Sequence, residues 1–316
     1  GEAVGVALTA AILAVRAGEP VVAVVPAGHR GDVESLPCGP FRPSEHRTLE
    51  SGVASWVRAQ TGVEIAFLQQ LCTLAEADSA EPEGSDLAPP TISIGYLALV
   101  GPRQCSDRTS ASWRTWYAFF PWEDWRYGRP ECLKGIVERL EAWAAARPGP
   151  PCAAPGPEER RQRVRMAFGT AGAGWDDEKV LERYELMREA AIFDPAGDGP
   201  GWRLPRPVHP LLGDHPMLLA RAIGELRRAV KHRTVVFELM PDEFTLFELQ
   251  RTVEAILGPH LHKQNFRRLV ESGGLVEPTG EHRLRTGGRP ARLYRFRRDV
   301  LWERVAPGMR VKAGRA

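Results

Sequence analysis

The sequence predicts an α+β chain, with an α/β/α sandwich in front and a winged helix-turn-helix unit behind. Three observations carry this. Apolar strand-like runs and helix-periodic segments are mixed up to about residue 232, the pattern of helices packed on a sheet. Pro/Gly-rich sequence at 147–159 and loop-like sequence at 194–213 frame a helical insert at about 147–213. From residue 244, two short helix-periodic segments are followed by a basic hairpin. The expected division is 1–232 for the front domain and 233–316 for the C-terminal unit.

The 316 residues suffice for two domains, and 43% hydrophobic with 26% charged residues is ordinary for a soluble globular protein. Five cysteines, an odd number with no CxxC pair, argue against a disulfide framework or a zinc ribbon. A reducing, cytoplasmic setting is expected. No apolar run approaches the roughly 18 residues of a membrane span, so no membrane partner is expected. Residues 3–15 are apolar enough to suggest a signal peptide. Charged, hairpin-like sequence follows at once without a small-residue cleavage pattern, so a buried strand is expected.

In chain order, 4–15 and 20–26 read as strands joined by the turn Arg16-Ala17-Gly18-Glu19. Thr48 is placed to cap a helix whose apolar face is Leu49, Val53, Trp56 and Val57. Residues 76–90 read as an acidic loop, 91–100 as a buried strand and 112–122 as an aromatic strand. Helices are expected at 131–146, 158–168, 176–192 (capped by Asp176 or Asp177) and 215–231, where Asp214-His215 is expected to cap. A strand is expected at 234–240.

The C-terminal unit is the most informative. Thr245 and Glu248 make a capping box, and Gly258 stops the helix. A second helix at about 261–272 buries Phe266, Leu269 and Val270. It turns Gln264, Arg267, Arg268 and Glu271 outward, with Lys263 and Asn265 at the flanks. A hairpin at 275–297 turns at Gly287-Gly288 and carries Arg283, Arg285, Arg289 and Arg292. Helix, turn, helix and basic hairpin form the plan of a winged helix. Its second helix offers side chains to base edges in the major groove, and its hairpin offers arginines to phosphates or the minor groove. Charge agrees: 258–298 holds ten basic and three acidic residues, whereas 1–240 is net −4.

Near the front, LPCGPFRPSEHRTLESGVASWVRAQTGV (36–63) has the outline of a Nudix box: a Gly-opened loop, then a helix ending in Gly-aliphatic. A working box presents glutamates one helical turn apart to magnesium. Anchored on Gly62 and Val63, the Arg-Glu pair of the pattern becomes Ser55-Trp56 and the Glu-Glu pair becomes Ala59-Gln60. Glu45 and Glu50 lie outside the ligand positions. No metal ligands and no catalytic residues are therefore expected.

ELQRTVEAILG, LHKQNFRRLVESGGLVEPTGE and GRPARLYRF resemble the winged-helix domain of the Nudix-related regulators of NAD metabolism, of the NrtR type and the longer NadQ type. DHPMLLARAIGELRRAVKHRTVVFELMP resembles their linker helix and entry strand. WYAFFPWEDWR and WDDEKVLERYELMREA are similar to the longer type. The resemblance implies a repressor of NAD biosynthesis genes. Such a protein binds a near-palindromic double-stranded operator as a homodimer and responds to an effector such as NAD, ADP-ribose or ATP held in a degenerate Nudix-like domain. Candidate nucleotide contacts are Arg42 in the loop, Tyr96 on the central strand, and Trp113, Trp116, Trp122 and Arg126 in the aromatic segment. The alternative is a Nudix-type nucleotide pyrophosphohydrolase with an atypical metal site.

Overall fold

The computed structural model describes residues 5–27, 30–76, 91–105, 109–146, 155–193, 204, 210–283 and 290–299. Strand β1 (Gly5–Arg16) turns into β2 (Glu19–Ala27) through Ala17 and Gly18, both at positive φ (51° and 82°). This is the backbone of a tight two-residue hairpin. β3 (Arg30–Ser35) and β4 (Cys38–Pro40) follow, then helix α1 (Leu49–Thr61), β5 (Phe67–Glu76), β6 (Thr91–Leu99) and β7 (Ser112–Thr115). The seven strands form one sheet in the order β3-β2-β1-β6-β5, with β4 paired to β1 and β7 to β2. β1 and β6 run parallel in register from Gly5–Thr91 to Leu13–Leu99. Their near-continuous apolar runs are those of strands covered on both faces.

α1 covers one face. Thr48 caps it by accepting the Ser51 amide, and Gly62 closes it in the left-handed region, as the sequence indicates. Val53 and Val57 meet Leu8, Ala10, Ile12, Tyr96 and Ala98 there. The other face carries Ala11, Leu13, Val22, Val24, Leu97 and Leu99. The long α5 (His215–His232) packs on it, and α2 (Cys132–Ala145), α3 (Pro157–Phe168) and α4 (Val180–Glu189) join the same apolar cluster. α5 approaches β6 so closely that a Cβ at Gly95 would stand 2.4 Å from Leu218 Cδ1. Among the described residues, no helix is long and apolar enough to cross a membrane.

Three expectations need correction. The aromatic strand stops at Thr115 and gives way to two 3-10 turns, Trp116–Ala118 and Pro121–Glu123. Trp116, Tyr117, Phe119, Phe120 and Trp122 all enter one core, whereas a strand would send alternate residues to opposite faces. Residues 235–239 are likewise a 3-10 turn, because Val235, Val236, Phe237 and Leu239 are all buried on one side. A short apolar run does not betray its period. α4 begins at Val180; Asp176 instead accepts the Glu178 amide in the preceding turn.

Beyond α5 come α6 (Leu246–Leu257), α7 (Lys263–Ser272) and the hairpin β8 (Val276–Arg283) and β9 (Ala291–Phe296). The predicted capping box is present: Glu248 Oε2 accepts the Thr245 amide at 2.8 Å, and Thr245 Oγ1 accepts the Glu248 amide at 3.2 Å. Phe244 makes an isolated antiparallel bridge to β9 by exchanging backbone hydrogen bonds with Tyr294. The large core cluster runs without a break from Leu13 and Trp116 through α5 into Leu249, Val253, Phe266 and Tyr294.

Candidate nucleic-acid interface and nucleotide loop

The turn between α6 and α7 is stapled by two side chains of α6. Gln250 Nε2 donates to Glu254 and to the Leu261 carbonyl, both at 2.8 Å, and the Leu261 amide donates to Glu254 Oε1 at 2.9 Å. Phe266 and Val270, at 3% and 0% exposure, then anchor α7. Four of its residues, Lys263, Gln264, Asn265 and Arg268, stand exposed in one tract with Arg267, whose Nε is held at 3.0 Å by Glu271 one turn on. This is the presentation a recognition helix needs: a fixed backbone and outward donors.

On the hairpin, Arg292 is exposed, with its guanidinium 6.0 Å from the Tyr294 ring. Arg283 is tied down at the hairpin base, donating to Glu248 Oε1 at 2.6 Å and to the Glu243 carbonyl at 3.3 Å. Its first task is to lock the hairpin to the start of α6. Arg285, Arg289 and the expected Gly287-Gly288 turn lie outside the described residues.

At the front, the lost carboxylate positions have acquired structural work. Trp56 does not enter the core beside Val53, as its periodicity suggests. It lies half-buried against the loop and donates Nε1–H to the Pro40 carbonyl at 2.9 Å. A Cβ at Gly39 would come within 2.3 Å of its ring, so only glycine admits it. One turn on, Gln60 clasps Cys38 from both sides: Nε2 donates to its carbonyl at 2.7 Å, and Oε1 accepts its amide at 3.1 Å. Ser55 and Ala59 are exposed and neutral. Of the acids nearby, Glu45 pairs with Arg42 at 3.3 Å and Glu50 sits in the first helical turn. The tightest carboxylate group among the described residues, Asp176–Glu178, is in the insert, and Lys231 bridges Asp177 and Glu178 there. The donor set at α1 does not fit a hard divalent cation.

The sheet divides the six residues assigned to nucleotide. Arg42, Tyr96 and Trp113 are on the α1 side. Arg42 is about half exposed and stands 5.2 Å over the Trp56 ring. Tyr96 is buried, and its Oη finds no hydrogen-bond partner among the described residues. Burial first, then Glu50, raises its pKa. Trp113 is half-buried and donates to Thr109. Trp116 and Trp122 are corrected to core residues on the opposite face, at 0% and 1% exposure. Arg126 is also on that face, stacked 4.6 Å over Tyr117 and ion-paired with Glu19 and Asp124. These three cannot share a pocket with Arg42.

Sequence reasoning missed a buried ionic junction. Glu123, fully buried, accepts from Arg183 Nε at 2.6 Å and Nη2 at 2.9 Å, and from Arg227 Nη1 at 2.7 Å. The one available signal is that Arg227 falls on the buried stripe of α5, four residues after Ile223 and three before Val230. His215 was also misread. Its Nδ1 accepts the Leu36 amide at 3.1 Å, and burial lowers its pKa to about 4. Asp214 makes no side-chain cap and pairs with Arg188 instead.

Residues 236–296 match the family described as the NrtR DNA-binding winged helix domain. Over 83 residues the chain is 43% identical to the ADPR-responsive transcriptional repressor NtrR of Acinetobacter baylyi, a stretch covering 26% of this chain. That match spans about a third (33%) of the relative's length. Among solved structures, Shewanella oneidensis NrtR complexed with a 27mer DNA is similar at TM-score 0.54 and 19% identity, over 93% of this chain and 94% of that one. A MutT/nudix family protein from Enterococcus faecalis is similar at TM-score 0.52 and 16% identity, over 94% and 89%. At such identities the likeness is one of fold. Residues 236–296 are thus a winged helix domain of the NrtR DNA-binding type, carried behind a front domain with the fold seen in NrtR and MutT/nudix proteins.

Proposed function

We propose that this chain is a DNA-binding transcriptional repressor whose front domain recognises an adenine nucleotide without cleaving it. The observation that carries the reading is α7. Lys263, Gln264, Asn265 and Arg268 project from a helix anchored by Phe266 and Val270, within the stretch 236–296 that matches the NrtR DNA-binding winged helix domain, in a chain 43% identical over 83 residues to an ADPR-responsive repressor. Those four residues meet base edges and nearby phosphates, Arg267 and Arg292 flank them, and Arg285 and Arg289, which fall between β8 and β9 in the sequence, are proposed as further phosphate contacts. The working division is 1–232 and 233–316.

The effector proposed first is ADP-ribose, from the name of that relative, with NAD and ATP as competitors. Arg42 beside Trp56 supplies a cation and an aromatic face in the surviving loop, with Trp113 and Tyr96 behind it on the same side of the sheet. The targets proposed are NAD biosynthesis genes. The operator is a near-palindrome bound by a homodimer in the cytoplasm. The replacement of every α1 carboxylate position by neutral residues supports a regulator over a hydrolase.

A gel-shift series on duplex DNA from upstream of the gene, with ADP-ribose, NAD and ATP titrated in, tests this reading. One nucleotide is expected to change the affinity. If the chain binds that DNA no better than unrelated DNA, the reading fails.

A further inference from the structure

The last carbonyls of a helix have no partner within it. In α6, Glu254 is served by the Gly258 amide. The next two are served from the front domain. Tyr117 Oη donates to the Ala255 carbonyl at 2.9 Å, and Arg227 Nε donates to the Ile256 carbonyl at 3.0 Å. Both donors are buried, and Arg227 brings its charge to the negative end of the α6 dipole. Neither is free to turn. Arg126 stacks on Tyr117, and the rest of the Arg227 guanidinium is held by the Glu123 carboxylate, the Glu123 carbonyl and the Asp177 carbonyl. Since Gln250 and Glu254 lock α7 to α6, these bonds make a stiff path from the sheet to the recognition helix.

We propose that Tyr117 and Arg227 are positioning residues for DNA binding. By capping α6 from the front domain, they fix where α7 stands, and hence the distance between the two recognition helices of a homodimer. The inference rests on the reading above.

The test uses the full chain. Wild-type protein selects a duplex from a random pool. That duplex and a version lengthened by five base pairs at its centre are compared for wild type, Tyr117→Phe, Arg227→Lys and Val164→Ala. The last opens a small cavity in the insert core and serves as a control for mere destabilisation. The insertion rotates one half-site by about half a turn. Wild type and V164A are expected to lose about 100-fold in affinity on insertion, because two rigid helices no longer face the same groove. Y117F and R227K, shown to be folded by near-UV circular dichroism, are expected to lose about tenfold or less. Should R227K fail to fold, Y117F, which keeps its ring, still decides. A folded Y117F with the wild-type penalty overturns the proposal, as does a selected duplex with no repeated half-site. A wild-type chain that selects no duplex removes the DNA-binding reading itself.

Discussion

Replacing Glu123 by Gln removes one buried charge and leaves two. The carboxylate accepts three charged hydrogen bonds within 2.9 Å, from Arg183 and Arg227, and all three side chains are at most 1% exposed. Glutamine keeps the shape but turns an NH2 group toward guanidinium donors. Breaking a buried ion pair from one side costs about 3–5 kcal/mol. That is a large part of a typical total of about 5–15 kcal/mol. At about 2–4 °C per kcal/mol, the melting temperature should fall by about 6–20 °C. The pH dependence gives a second reading. Burial pushes the Glu123 pKa up, but Arg183 and Arg227 outweigh it and hold the carboxyl below its ordinary value. The stabilisation is therefore complete at neutral pH and lost as pH falls through the lowered pKa. Urea melts of wild type and E123Q should differ most at neutral pH and converge in acid. A difference below about 1 kcal/mol at pH 7, in the range of an exposed pair, would refute the buried-junction argument.

Other substitutions probe other parts. Gln60→Glu sets a carboxylate against the Cys38 carbonyl and should cost about 1–3 kcal/mol in urea melts, without producing magnesium-dependent hydrolysis. His215→Asn keeps an acceptor for the Leu36 amide but cannot titrate. Since the His215 pKa falls to about 4 on folding, the unfolded chain binds more protons below the ordinary histidine value, and wild type loses stability between about pH 6.5 and 4. H215N should lack that component, about 2–4 kcal/mol, in melts across this range. Arg268→Ala should cost about 1–3 kcal/mol of DNA affinity and relax base preference, whereas Arg292→Ala should lower the salt slope by about one unit in filter-binding titrations.

Much of the fold was legible because its signals are local. The capping box at Thr245, the turn at Ala17-Gly18 and the helix end at Gly62 are short-range chemistry that folding leaves intact. The outward face of α7 was legible for the same reason, since Phe266 and Val270 fix the phase of the helix. What failed depends on where a segment sits. The aromatic run at 112–122 and the apolar run at 234–240 carry no period that separates a strand from a 3-10 turn, and only packing into the shared core decides. β5 was missed because FLQQLCTLAE alternates poorly. The nucleotide candidates were chosen by residue type. Type does not say which face of a sheet a tryptophan joins, so Trp116 and Trp122 went to the wrong side. Arg227, Glu123 and Arg183 come together across more than 100 positions, which no window of sequence brings into view.

The most direct test of the central claim follows ADP-ribose and DNA in one experiment. Protein on labelled upstream duplex is titrated with ADP-ribose in the presence of magnesium, fluorescence anisotropy reports the complex, and the nucleotide is recovered and analysed. The account predicts an apparent DNA affinity shifted about 5- to 150-fold, the usual range for coupled sites, with the nucleotide returned intact. Turnover above about 0.1 per second, within ordinary enzyme range, would contradict it. So would an affinity that neither ADP-ribose nor NAD nor ATP moves.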